Sequence, residues 1–175
     1  MIRSPHIVID IEANGPIVAT HSMVNFGAVI VEKDLKRSFY GELKPISDLY
    51  VPEALAVSGF THEQTLLFPN PKETMEAFAL WIKENVDGKP IFISDNPAFD
   101  FAWINWYFLT FTGSNPFGHS ARRIGDIYCG MKMNMRLNNE WKRLYRKTKH
   151  THNPLDDAKG NAEALLAFVE LGLRL

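Results

Sequence analysis

Cysteine is almost missing from this chain, with Cys129 alone among 175 residues. One thiol excludes an intramolecular disulfide framework and any zinc site built on several cysteines. Cys129 itself reads as a small buried residue rather than a nucleophile. Long apolar runs are missing as well. The most apolar stretch, Ala98 to Phe111, is broken by Asp100 and Asn105, and it falls short of the roughly 20 residues that span a bilayer. Near the N-terminus, Asp10 and Glu12 interrupt the one candidate apolar segment, so no signal peptide is expected. There are no repeats, low-complexity tracts or linkers. These absences predict a cytoplasmic protein without membrane contact. At 46% hydrophobic residues, the length suits a single domain over residues 1–175 with a well-buried core.

Excess charge is also missing, but the formal net charge of −1 hides a segregation. Residues 121–150 hold nine Lys/Arg against Asp126 and Glu140, a local balance of +7, and the remainder carries −8. An acidic body beside a basic stretch suits a protein that gathers cations in one place and polyanion backbone next to it. A solvated helix face would give the same count.

What is present begins at His6-Ile7-Val8-Ile9-Asp10-Ile11-Glu12, an apolar strand whose far end carries two acids. Side chains alternate along a strand, so Asp10 and Glu12 share one side. Carboxylates crowded in this way repel unless something positive sits between them, and hard cations such as Mg²⁺ are the usual answer. Alone, such a pair reads equally as solvated acids at a strand end.

Residues 24–31 and 37–43 read as a hairpin, and 51–57 as a short helix stopped at Gly59. Thr61 with Gln64 matches a capping box that leaves His62 exposed. An amphipathic helix is predicted over 71–86, a strand over 90–94, and a helix from Ala98 that carries Asp100 near its start. A short strand is expected over 123–127, then helical segments around 128–135 and 138–147. The last helix is defined by Asn153 as N-cap, Pro154 at its first position and Asp156 at its third, and it should run to about Leu171. Strands first, then alternating helix and strand, predict an α/β mixed sheet covered on both faces.

Three further residues join the opening pair: Asp100 in Asn96-Pro97-Ala98-Phe99-Asp100, and His152 with Asp157 in His152-Asn153-Pro154-Leu155-Asp156-Asp157. With D-x-E first, N-x-x-F-D second and H-x-x-x-x-D third, nearly the whole chain resembles the DEDDh family of 3′–5′ exonucleases. The resemblance implies a ribonuclease H-like fold, a five-stranded mixed sheet whose second strand is antiparallel to the others. It implies hydrolysis of phosphodiester bonds at the 3′ ends of single-stranded RNA or DNA, with release of nucleoside 5′-monophosphates. Two Mg²⁺ ions, replaceable by Mn²⁺, would be held by Asp10, Glu12, Asp100 and Asp157, with His152 as general base. Imidazole, with an ordinary pKa of about 6.5, can take a proton from water at physiological pH. The family spacing selects Asp157 over Asp156. Asn153 stands where a sister group has tyrosine, which places the chain in the histidine branch.

The resemblance also extends to Val57-Ser58-Gly59-Phe60-Thr61, a loop that approaches the terminal nucleotide in relatives. Ala13, Asn14, Ser58, Phe60 and Phe99 are accordingly the expected substrate contacts. Ala13 departs from the threonine or serine of many relatives, and Asp95 replaces a histidine. Phe99, Trp103, Trp106 and Tyr107 fit a core helix face better than a base-stacking surface. Lys142, Arg143, Arg146, Lys147 and Lys149 could grip phosphates. A zinc site of His119, His150 and His152 lacks the cysteines or the H-E-x-x-H helix that would support it. A homodimer is possible by resemblance. The alternatives are a catalytically inactive nucleic-acid-binding module of the same fold and an enzyme that cuts internally.

Overall fold

The computed structural model describes residues 4–175. Met1–Arg3, where the segment read for a signal peptide starts, lie outside them. Five strands form one sheet: β1 (His6–Ala13), β2 (Met23–Ile30), β3 (Ser38–Glu42), β4 (Ile91–Ser94) and β5 (Ala121–Arg123), in the order β3-β2-β1-β4-β5. β2 runs antiparallel to β1 and β3, while β4 and β5 lie parallel to β1. The expected mixed sheet is therefore the one formed. Seven helices cover it: α1 (Pro52–Val57), α2 (His62–Thr65), α3 (Pro71–Asn85), α4 (Pro97–Thr112), α5 (Ile124–Lys132), α6 (Glu140–Tyr145) and α7 (Pro154–Glu170). None is long and apolar enough among the described residues to cross a membrane.

The alternation of β1 builds two cores. Ile7, Ile9 and Ile11 point to one side and pack with Met75 and Phe78 of α3 and with Trp103, Ile104, Tyr107 and Phe108 of α4. Val8 points to the other, among Ile124 and Tyr128 of α5, Trp141 of α6 and Ala158, Ala162, Leu165 and Phe168 of α7. By that same alternation Asp10 and Glu12 lie on the α7 side. Trp103, Tyr107 and Phe108 of α4 are fully buried core residues, Phe99 and Trp106 pack partly buried against that core, and the Tyr107 hydroxyl accepts the Met23 N–H at 2.8 Å.

The helix starts follow local chemistry. Asn70 Oδ1 caps α3 and Asn153 Oδ1 caps α7, each helix having proline at its first position. The capping box of Thr61 and Gln64 is formed. Two expectations are corrected. The strand read over 123–127 is Ala121–Arg123, because Ile124 and Tyr128 recur at one-turn spacing, both face the second core, and so already belong to α5. α5 stops at Lys132, where Met133 turns left-handed, and a 3₁₀ turn over Met135–Leu137 precedes α6.

One glycine brings α7 to the sheet. Gly27 on β2 is the register partner of Asp10, and a Cβ there would lie 2.3 Å from Leu155 Cα and 2.6 Å from the Pro154 carbonyl carbon. The first turn of α7 rests on this bare backbone. Gly27→Ala is expected to lift that turn, lowering stability by about 1–3 kcal/mol in urea unfolding.

Candidate active site

β1 and β4 pair only from His6 to Val8. Beyond Val8 the strands part and the edge of β1 is open toward α4. Asn96 and Pro97 start α4 there, and Asp100 in its first turn is buried. Its carboxylate accepts the backbone N–H groups of Asn96, at 3.3 Å to Oδ2, and of Ile11. Asp100 thus reaches across the opening to the strand that carries Asp10 and Glu12. From the opposite side, α7 brings Asp157, which is 1% exposed, whereas Asp156 is exposed. Four carboxylates from three elements meet at the carboxyl end of β1, a common binding location in open α/β sheets.

Burial and crowding raise the proton affinities of three of them. Asp10 is raised well above the ordinary carboxylate range, first by burial and then by Asp100, Asp157 and Glu12, with Arg146 opposing. Glu12 is raised to about 7 by burial, then Asp157 and Asp100. Asp100 is also raised to about 7, chiefly by burial, against the hydrogen bonds it accepts.

Asp157 is surrounded by donors. Arg146 Nη2 meets Oδ1 at 2.8 Å in a buried ion pair, and His150 Nδ1 meets Oδ2 at 2.8 Å. The backbone N–H groups of Thr151 and His152 donate to the same carboxylate at 3.3 and 3.0 Å. The His152 backbone is left-handed, φ 60°, a conformation held here by that N–H bond. Its imidazole Nδ1 lies 3.7 Å from Glu12 Oε1, and its ring packs edge-on to His150 at 4.3 Å. The contacts of Arg146 and His150 with Asp157 escaped the sequence reading. Arg146 figured there only as one charge of the basic stretch, and its distance of eleven residues from Asp157 gave no periodic signal.

The other expected residues have defined partners. Ala13 lies at the irregularity that follows Glu12. Asn14 is buried; its Oδ1 accepts the Ser22 N–H at 2.7 Å, and its carbonyl accepts the Val51 N–H at 2.8 Å, tying the start of α1 to the end of β1. Ser58 Oγ donates to Leu55 O at the end of α1. Phe60 packs edge-on to Phe68, and Phe99 sits half-buried against Trp103.

The donor set fits hard divalent cations: four acceptor-only carboxylates, all oxygen, three of them buried enough to hold protons more tightly than exposed acids. In the side-chain positions adopted, no three of the described acids and histidines converge as a preformed metal shell. Asp157 is instead turned onto Arg146 and His150.

A sheet of this topology with four acids and a histidine at its open end defines a nuclease. The exonuclease family model matches residues 7–165, and the 3′–5′ DNA exonuclease Cap18 of Escherichia coli is 32% identical over 164 residues, covering 90% of this chain and 87% of that protein. The chain belongs to the DEDDh family of 3′–5′ exonucleases, whose members depend on divalent cations. Among solved structures, the nuclease domain of 3′hExo, a DEDDh member bound to rAMP, shares the fold with a TM-score of 0.76 at 18% identity, over 97% of this chain and 94% of that one. Exonuclease I of E. coli in complex with a dT13 oligonucleotide gives a TM-score of 0.64 at 14% identity, over 95% of this chain and 41% of that one.

Two outcomes follow for the cation-free protein. Arg146→Met leaves Asp157 buried without its cation, so unfolding in chelator should cost about 3 kcal/mol less than for the parent, and added divalent cation should narrow the gap. Glu12 and Asp100 keep protons up to about pH 7 when folded but release them near pH 4 when unfolded. Raising pH through that window therefore works against folding. The melting temperature in chelator should receive a falling contribution from these groups between about pH 5 and pH 8, and Mg²⁺ should raise it more at the upper end.

Proposed function

We propose that this chain removes nucleoside 5′-monophosphates one at a time from the 3′ end of single-stranded nucleic acid, with DNA as the first candidate because the Cap18 relative is a DNA exonuclease. The observation that carries this reading is the meeting of Asp10, Glu12, Asp100 and Asp157 from three elements, with His152 beside Glu12.

Asp10, Glu12, Asp100 and Asp157 would hold two divalent cations, Mg²⁺ or Mn²⁺, which when bound supply charge for the attacking and departing oxygens of the phosphodiester. His152 takes the proton of the attacking water. With Nδ1 turned toward Glu12, Nε2 is the atom left to accept it. The pinned His152 backbone keeps the ring over the acid cluster, and its exposed side chain leaves it room to rotate. Ala13 and Asn14 form the floor for the terminal nucleotide. The link from Asn14 to Val51 ties the start of α1 to the end of β1, which supports the Ser58–Phe60 loop after α1 as a further contact, with Phe99 of α4 another.

Incubation with Mg²⁺ and a labelled single-stranded oligomer should release mononucleotides progressively, while a circular single strand stays intact. Asp10→Asn should reduce release by more than about a hundredfold, and His152→Ala by about a hundredfold or more. A parent protein that binds oligomers but releases no nucleotide would make this an inactive binding module, and degradation of the circle would make it an endonuclease.

A further inference from the structure

Next to the acid cluster lies a groove of about 420 Å³ whose floor includes Asp10 and Asn161 and whose wall is the segment from Lys142 to His150. The wall is fixed in place at both ends. Lys142 pairs with Asp95 just after β4, and Arg146 pairs with Asp157. Just past Arg146, Glu163 on α7 clamps the backbone by accepting the Lys147 and Thr148 N–H groups at 2.7 Å each and the Thr148 hydroxyl at 2.9 Å. Gly160 makes the close fit possible, since a Cβ there would lie 2.6 Å from Arg146 Nε and 2.9 Å from the Thr148 carbonyl oxygen. The clamps fix the backbone from which the remaining charges of the segment project. Arg143, Lys147 and Lys149 are exposed and make no ion pair among the described residues, so their charge is uncompensated. On the floor, Asn161 is 1% exposed and its Oδ1 has no hydrogen-bond partner among the described residues. A strand that offers acceptor phosphates and donor base edges satisfies both the cations and the amide.

The geometry points to this groove as the track that carries the sugar–phosphate backbone of the strand being degraded, leading it to Asp10, with Arg143, Lys147 and Lys149 as its phosphate contacts. This rests on the exonuclease reading above. The Asp95–Lys142 pair anchors the track beside the reacting end. Three phosphate contacts to a single strand contribute a slope of about −2 in the logarithm of affinity against the logarithm of salt concentration.

The test combines Arg143→Gln, Lys147→Gln and Lys149→Gln in one protein, all at exposed side chains, and compares a single-stranded 20-mer, the same 20-mer paired in a duplex, and a dinucleotide. For the single-stranded 20-mer, KM should rise at least tenfold more than for the dinucleotide, kcat should change less than KM, and the salt slope should shrink by about 2. An unchanged KM and salt slope for the single-stranded 20-mer would overturn the assignment while leaving the exonuclease reading intact. A loss confined to the duplex would overturn it too, giving the groove to the complementary strand. If the parent hydrolyses none of the three, the exonuclease reading fails instead. Fluorescence anisotropy of a labelled 20-mer then decides the groove by itself, with tenfold weaker binding by the variant supporting it and equal binding overturning it.

Discussion

The burial of mutually repelling carboxylates is the constraint on which this structure turns. Asp10, Glu12, Asp100 and Asp157 are brought together where protein has replaced much of the water, and three of them hold protons more tightly than exposed acids do. Such a cluster has to be imposed by the rest of the fold and offset by positive charge. The offset provided by the chain itself is lopsided: Arg146 and His150 both meet Asp157, while among the described residues Glu12 is paired with the His152 imidazole alone, at 3.7 Å. The opening between β1 and β4 is left electronegative, and the wall beside it is electropositive.

What imposes the cluster is packing at a few close approaches. Two apolar layers, one under α3 and α4 and one under α5, α6 and α7, hold β1 between them. Gly27 lets the first turn of α7 rest on β2 directly across from Asp10, and Gly160 lets the Arg146 guanidinium and the Thr148 carbonyl settle against α7. Both glycines are needed for the space that the missing Cβ leaves rather than for an unusual backbone angle. The early parting of β1 from β4 then exposes the Ile11 N–H that Asp100 accepts.

Much of the fold was legible because its elements carry local signatures. The alternation of β1, the proline-led starts of α3 and α7 and the capping box at Thr61 each arise from chemistry within a few residues. The region after β4 was harder to read. β5 is three residues long and passes without a break into α5, so the apolar residues at 124 and 127 suited a strand as well as a helix until the second core claimed Ile124 and Tyr128.

The sequence by itself determined which side of β1 bears the two acids, since side-chain alternation leaves no choice, and it placed Asp100 and Asp157 near the starts of helices. It could not separate Asp156 from Asp157 by periodicity, because α7 is apolar around much of its circumference. Burial against the sheet made that selection, leaving Asp156 in solvent and Asp157 1% exposed. Nor could it distinguish a basic helix face from a basic wall beside the acids. Charge counts carry no direction, and only the pairing of Lys142 with Asp95, Arg146 with Asp157 and Glu163 with the Lys147–Thr148 backbone turned that stretch toward the site.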